Sequence, residues 1–340
     1  MDSIYNLSRK GLEDRLIEND YKKFNATQLF EWIYEKQVAD FSLMTNLKKE
    51  LIGYLKNNFA LSTMELVEVE EDEDVNKYLF RLEDNQLIEA VLMYHDYGNS
   101  LCISSQVGCN MGCAFCESGR RKKVRNLTSG EMVEQILLVE QHIKKRITHV
   151  VIMGIGEPFD NYDNVTRFIE TVNDPKGLAL GSRHITVSTC GIVPKIKEFA
   201  DFPYQVNLAI SLHAPNDSLR KSLMPIAKVY PLKELMEALV EYYNKTKRRL
   251  TFEYILLEGI NDSEENAIEL SKLLKGINGY VNLIPYNETS HIKFHKTKPI
   301  QIMKFYDILK KNNIPVTIRR EFGSKISAAC GQLRSAKEEE

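Results

Sequence analysis

No stretch of this 340-residue sequence approaches the roughly 20 consecutive apolar residues that a membrane-spanning helix needs. Its opening, Met1-Asp-Ser-Ile-Tyr5, lacks the basic-then-apolar pattern of a secretory signal. Net charge is only −2, so no global positive excess draws in nucleic acid, and an RNA site has to be a local basic patch. Internal repeats and low-complexity linkers are missing too. Cysteine is scarce at six residues, and four of those lie between Cys102 and Cys116. Together these absences lead us to expect a cytoplasmic protein. Thiols stay reduced there, so clustered cysteines suggest metal binding or catalysis rather than disulfide staples. The length allows a full-sized core with a small second domain.

What is present divides by rhythm. Residues 1–60 read as helices: Asn25 is a plausible cap for a helix over 26–37, and a second helix starts near Asn46. From about 63 to 95 the apolar period shifts towards two, with short polar turns, which predicts an antiparallel meander. After Gly98 a strand–loop–helix unit recurs. Strands are expected at 100–105, 147–153, 184–189, 205–212, 250–257 and 279–285, and helices near 129–145, 162–173, 193–200, 231–245, 263–275 and 299–312. Thr128 to Glu131 has capping-box spacing, Pro194 and Pro231 suit first helical turns, and Asp262-Ser263 suits a cap. A last strand begins at Val316. The fold class is therefore α/β, a parallel sheet curled into a partial (β/α)6 barrel with helices outside. We expect three parts: an accessory domain over 1–94, a barrel core over 95–324 and a tail over 325–340.

In such barrels functional side chains gather on loops at the carboxyl ends of the strands. Cys109, Cys113 and Cys116 follow the first strand, and Gly154-Ile-Gly156-Glu157 follows the second. Ser188 ends the third, Ser211-Leu212-His213 closes the fourth, and Asn287 follows the sixth. Three thiolates spaced Cys-x3-Cys-x2-Cys suit a metal. A structural zinc needs a fourth ligand, Cys102 or a histidine, whereas three ligands to a four-iron cluster leave one iron open. Each rim serine, histidine or asparagine taken singly also fits capping or packing.

The cysteine spacing resembles the radical S-adenosylmethionine (SAM) superfamily. Further collinear segments extend the likeness over about residues 24–334. They include Arg183-His-Ile-Thr-Val-Ser-Thr-Cys-Gly-Ile-Val-Pro194, Val206-Asn-Leu-Ala-Ile-Ser-Leu-His-Ala-Pro215, Leu223-Met-Pro-Ile226, Val281-Asn-Leu-Ile-Pro285 and the tail Gly323-Ser-Lys-Ile-Ser-Ala-Ala-Cys330-Gly-Gln-Leu333. These resemble the RlmN/Cfr family of RNA adenine methyltransferases.

The resemblance implies a 4Fe-4S cluster on Cys109, Cys113 and Cys116, and S-adenosyl-L-methionine bound by Gly156, Glu157, Ser188, Ser211, Leu212, His213 and Asn287. It implies that Cys330 accepts a methyl group, that Glu89 is the general base, and that Cys102 closes a transient disulfide with Cys330. Implied partners are 23S rRNA at adenosine 2503, tRNA at adenosine 37 as a second target, an electron donor and a thiol reductant, with no membrane. Without the resemblance, Glu89 reads first as the outward residue of an alternating strand, and Cys102 as a buried packing thiol.

Rivals are a C8-methylating enzyme of the Cfr type, an RNA-binding protein with a structural cluster, and a radical SAM enzyme on a non-RNA substrate. Cys190 reads as packing. For RNA, Arg120-Arg-Lys-Lys-Val-Arg125 is the leading patch, with 245–249 and 291–298 in support. The chain departs from the family at Glu117-Ser118-Gly119, at Lys325 and Ser327, and over 286–300.

Overall fold

Ten strands form one continuous sheet in the computed structural model, which describes residues 1–289 and 291–319. In chain order they are β1 (Met64–Asp72), β2 (Val75–Leu82), β3 (Leu87–His95), β4 (Gly98–Ile103), β5 (His149–Ile152), β6 (Ile185–Thr189), β7 (Asn207–Ser211), β8 (Leu250–Leu256), β9 (Gly279–Pro285) and β10 (Val316–Ile318). Strands β1 to β4 pair antiparallel, and every neighbouring pair from β4 to β10 is parallel. The order runs from β1 to β10 without closing. The expected partial barrel is present. The meander, expected as a small sheet of its own, is instead fused edge to edge with it, because β3 turns directly into β4 and Val91 pairs with Cys102.

Helices α4 (Ser129–Ile143), α5 (Tyr162–Asn173), α6 (Val193–Phe199), α7 (Asp217–Leu223), α8 (Leu232–Thr246), α9 (Glu264–Leu273) and α10 (Pro299–Lys311) occupy the crossovers. Strand alternation decides what faces them. Leu101, Ile103, Val187, Ile210, Phe252, Tyr254, Val281 and Leu283 join the main apolar core. The intervening positions Ser188, Ser211, Glu253 and Asn282 carry polar side chains to the other face.

Local signals were mostly sound. Thr128 and Glu131 form a reciprocal capping box, Pro194 lies in the first turn of α6, and Ser263 caps α9. Pro231 stands one position earlier than expected, as the N-cap of α8. Helix α7 was not anticipated; Asn216 caps it by accepting from Leu219 N.

The N-terminal segment contains α1 (Arg9–Ile17), α2 (Phe24–Phe30) and α3 (Lys49–Asn58). Asn25 is not a cap. It lies inside α2, and its Oδ1 accepts from Lys22 N 3.2 Å away. The helix continues over Glu31–Glu35 as a π-turn, and α3 starts at Lys49 rather than near Asn46. Glu134 on α4 ties this segment to the barrel, accepting from Thr63 N at 2.8 Å and from the Ser3 and Thr63 hydroxyls. Among the described residues, no helix is long and apolar enough to cross a membrane.

Candidate active site

A cavity opens at the carboxyl ends of the parallel strands, enclosing about 840 Å³ of space that is partly open to solvent. Cys109, Cys113 and Cys116 line it together with Gly156, Glu157, Ser188, Ser211 and His213. The loop holding the cysteines is drawn tight at its base, where Cys109 N donates to Arg121 O at 2.9 Å. Gly108 makes that closure possible. Its φ is +73°, and a Cβ there would stand 2.4 Å from Lys122 O. Ala114 N donates to Leu223 O, which anchors the loop on α7.

Burial pushes the Cys109 thiol up to about 12, and burial with neighbouring Cys116 and Cys109 raises Cys113 well above the usual thiol value. The thiols therefore sense one another across a shared, weakly solvated space. No three His, Cys, Asp or Glu side chains among the described residues are gathered as for a single metal ion. Thiols ringing a cavity suit a polynuclear cluster, whose iron corners hold their ligands further apart than one zinc does. Arg220 adds to this fit. Its guanidinium is wholly buried, donates to Cys190 O at 2.6 Å and Leu212 O at 3.3 Å, and leaves Nη1 without a partner. A buried cation with an orphan donor, whose field reaches Cys113, fits an anionic thiolate cluster nearby.

The loop after β5 lies against the cysteine loop. Gly156 has φ +112°, and a Cβ there would meet Gln106 Cβ at 2.7 Å. Glu157 lines the cavity, yet its carboxylate also braces the loops: Oε1 accepts from Phe159 N at 3.0 Å and Oε2 from Cys190 N at 2.8 Å. Burial raises its pKa.

Ser188 and Ser211 on adjacent strands stand hydroxyl to hydroxyl at 3.3 Å. His213 has φ +58°, packs edge-to-face on Phe115 at 4.7 Å, and accepts from Ile255 N through Nδ1 at 3.0 Å. Burial, then Arg220, pushes its pKa down to about 3, so the ring is neutral. With Nδ1 accepting, the proton sits on Nε2, leaving one donor.

Two expected contacts are not among the lining residues. Leu212 points into the apolar core, and Asn287 stands just past β9. Sequence reasoning missed Glu253 and Arg319, which also line the cavity, as well as Arg220 beside it. Cys190, read as packing, forms part of the wall. Glu253 is a fully buried carboxylate on β8; Asn282 donates to it at 2.8 Å, and burial raises its pKa against the pull of Arg319.

Glu89 and Cys102 lie outside that lining but share one face of the sheet. Directly paired residues give a row Glu70–Lys77–Val91–Cys102 across β1 to β4, and Glu89 stands two residues before Val91 on β3. Side chains two apart point the same way. Val91, Met93 and Cys102 pack with Ile155 from the glycine loop, which carries this face up to the cavity rim. The expectation for Cys330 lies outside the described residues; among these, no disulfide is present.

The basic run is not a free patch. Lys123 pairs with Asp160 at 2.7 Å, Arg125 with Asp84 and Glu131, and Arg120 with Glu117. The supporting runs are also engaged: Lys245 with Asp201, His295 with Glu288 and Lys298 with Glu258.

Two family models match, the radical SAM superfamily over 103–271 and the ribosomal RNA large subunit methyltransferase N-terminal domain over 3–61. A protein of Enterococcus faecalis named "Probable dual-specificity RNA methyltransferase RlmN" is 53% identical, with 98% of this chain and 96% of that protein covered. A protein of Listeria monocytogenes with the same name is 52% identical, with 98% and 93% covered. The chain belongs to the RlmN family of radical SAM RNA methyltransferases. A crystal structure of a radical SAM methyltransferase from Sphaerobacter thermophilus superposes with TM-score 0.95 at 42% identity, covering 98% of this chain and 99% of that one.

Radical SAM enzymes use a 4Fe-4S cluster and S-adenosylmethionine. In this RlmN-family chain Cys109, Cys113 and Cys116 are the residues that would hold the cluster. The rim of Gly156, Ser188, Ser211 and His213 lines the same cavity with a close-packed backbone and neutral polar groups.

Proposed function

We propose that the chain methylates C2 of an adenosine in RNA, adenosine 2503 of 23S rRNA and adenosine 37 of tRNA, in the cytoplasm. The observation that carries this reading is the shared sheet face. It sets a carboxylate and a thiol, Glu89 and Cys102, beside a cavity whose wall holds the three cluster cysteines. Packing alone gives no reason for a charged side chain that is 1% exposed on that face.

An adenine ring carbon flanked by nitrogens is too poor a nucleophile to take a methyl group from SAM directly; a thiolate can. Cys330 is assigned that first displacement. A 4Fe-4S cluster held by Cys109, Cys113 and Cys116 would supply the electron for reductive cleavage of a second SAM. The methylthio group on Cys330 gives a hydrogen atom to the 5′-deoxyadenosyl fragment, forming 5′-deoxyadenosine; its carbon adds to the ring, linking protein and RNA, and the adduct passes its unpaired electron to a one-electron acceptor of the iron–sulfur class. Glu89 removes the ring proton. The Cys102 thiolate attacks the Cys330 sulfur, and the ring-bound methylene takes the C–S electron pair and a proton, which frees the methylated base and leaves a disulfide for a thiol reductant to open.

Gly156, Glu157, Ser188, Ser211, His213 and Asn287, with the backbone of Leu212, are assigned to SAM. Residues 1–94 are assigned as an accessory domain that carries Glu89, the core 95–324 to radical generation and the tail 325–340 to methyl carriage.

Nucleosides from 23S rRNA and tRNA treated with enzyme, SAM and reductant test the reading by mass spectrometry against 2-methyl and 8-methyl adenosine standards. The expected product is 2-methyladenosine. An 8-methyl product would reassign the chain to the Cfr type, and unmodified RNA despite 5′-deoxyadenosine formation would overturn the RNA substrate.

A further inference from the structure

Lys77 is a buried cation set among carboxylates on the face that carries Glu89. Its Nζ stands 3.4 Å from Glu89 Oε1 and 3.0 Å from Glu70 Oε1. The Glu89 side chain is 2% exposed and that of Lys77 10%, while Glu70 reaches solvent at 42%. Strand register explains the cluster. Lys77 pairs directly with Glu70 on β1 and Val91 on β3, and Leu79 pairs with Glu68 and Glu89. Glu68, Glu70, Lys77, Glu89 and Cys102 therefore share one side of four adjacent strands. Lys77 is the cation on this face that contacts both Glu70 and Glu89. Burial works against its charge, but Glu89 and then Glu70 outweigh it and raise its pKa above the usual lysine value.

A carboxylate out of water tends to keep its proton, and a protonated carboxylate is no base. An ammonium 3.4 Å away favours the ionised form and so works against that tendency. We propose that Lys77 is the positioning residue that keeps Glu89 ionised and fixed in one orientation for proton removal, with Glu70 anchoring the ammonium from the solvent side. The inference rests on the assignment of Glu89 as the base. In the step concerned, once the adduct has passed its unpaired electron to a one-electron acceptor of the iron–sulfur class, the ring C–H proton passes to a Glu89 oxygen and the C–H electron pair restores aromaticity. Lys77 stays protonated throughout and gives up nothing. The surface carboxylate of Glu70 balances its charge once Glu89 is neutral.

The test follows resolution of the protein–RNA adduct in a single turnover of the cluster-loaded full chain, with RNA, SAM and reductant, across a pH series. Lys77→Met is expected to slow adduct resolution by about 10–100-fold near neutral pH, no more than the lower end of the roughly 10²–10⁴-fold cost of losing a general base. 5′-Deoxyadenosine formation and RNA affinity should hold. The rate should recover as pH rises, because Glu89 without its ammonium ionises at higher pH. Lys77→Arg should restore most of the rate and Glu70→Gln should lose only a small part. Thermal unfolding of each variant separates this from a folding defect, and if Lys77→Met does not fold, the Lys77→Arg and Glu70→Gln pH profiles decide.

Glu89→Gln distinguishes the two layers. If Glu89→Gln stalls the adduct but Lys77→Met resolves it at the normal rate, the Lys77 role is wrong and the base assignment stands. If Glu89→Gln resolves the adduct normally, the base assignment falls. A Lys77→Met defect that is flat with pH, or that abolishes SAM cleavage equally, would also overturn the proposal.

Discussion

Arg220 concentrates the single-residue logic of the site. It is fully buried, ties α7 to the loops that end β6 and β7, and has one donor to spare beside the cysteine wall. Replacing it with methionine takes the donor from the buried Cys190 carbonyl and one of two donors from Leu212 O, which keeps Ala214 N, so Arg220→Met should cost about 1–3 kcal/mol of stability. Thermal denaturation measures that loss, and iron per chain after reconstitution should fall in the same variant. Cys109→Ala should retain the fold, lose cluster iron and give no 5′-deoxyadenosine from SAM, read by absorption and product analysis.

The cysteines, Glu157, Ser188, Ser211 and His213 could be read in the sequence because each sits at the end of a recognisable strand. Arg220 and Glu253 could not. Arg220 lies on a seven-residue helix that the pattern did not reveal, and Glu253 in an alternating strand reads as outward and solvated. Only the curl of the sheet turns that second face into an interior. Lys77 was hidden for the same reason: its partners are fixed by cross-strand register, which one strand's sequence does not contain.

At the scale of elements, two connections carry the weight. The cysteine loop depends on a left-handed backbone at Gly108 and on the space beside Lys122 O. Gly108→Ala meets both strain and collision, so it should destabilise the loop by about 2 kcal/mol or more and lower cluster retention. Iron content and loop proteolysis check it.

The second connection is Glu134 on α4, whose pKa burial raises to about 7 despite the hydrogen bonds from Thr63 and Ser3. The folded state then holds this proton more tightly than the unfolded chain. Its contribution is fully present below the ordinary glutamate range and is lost as pH rises through about 7. The whole swing is on the order of 3 kcal/mol. Urea midpoints at pH 5 and pH 8 should differ less in Glu134→Gln than in the parent.

The helix ends in this region show what local signals can do. The Thr128 capping box was legible because both partners lie within four residues. Asn25 misled because an asparagine before an apolar face reads the same whether it caps the helix or sits inside its first turn.

For the whole molecule, the fused sheet matters most. The accessory meander covers the edge of β4, and Glu134 binds the N-terminal segment to the barrel. A chain beginning at residue 95 would expose β4 as a bare edge and remove Val91 and Met93, which pack on Cys102 and Ile155. It should be insoluble or fail to unfold cooperatively, as circular dichroism and sedimentation can show. The strand–helix rhythm revealed the barrel, because each period switch is local. Fusion of meander and barrel was not visible, since the β3–β4 turn at Asp96-Tyr97 looks like any boundary. The ion pairs of the basic run were hidden in a related way, because Asp160 and Asp84, which pair with Lys123 and Arg125, come from distant segments.

The central claim is that this chain passes through a covalent link to RNA that Cys102 releases. Cys102→Ala, incubated with RNA, SAM and reductant, tests it most directly. The account predicts 5′-deoxyadenosine formation together with a stable protein–RNA adduct, mapped to Cys330 by peptide mass spectrometry. Methylated RNA released at the normal rate, or SAM cleavage with no adduct, would contradict it.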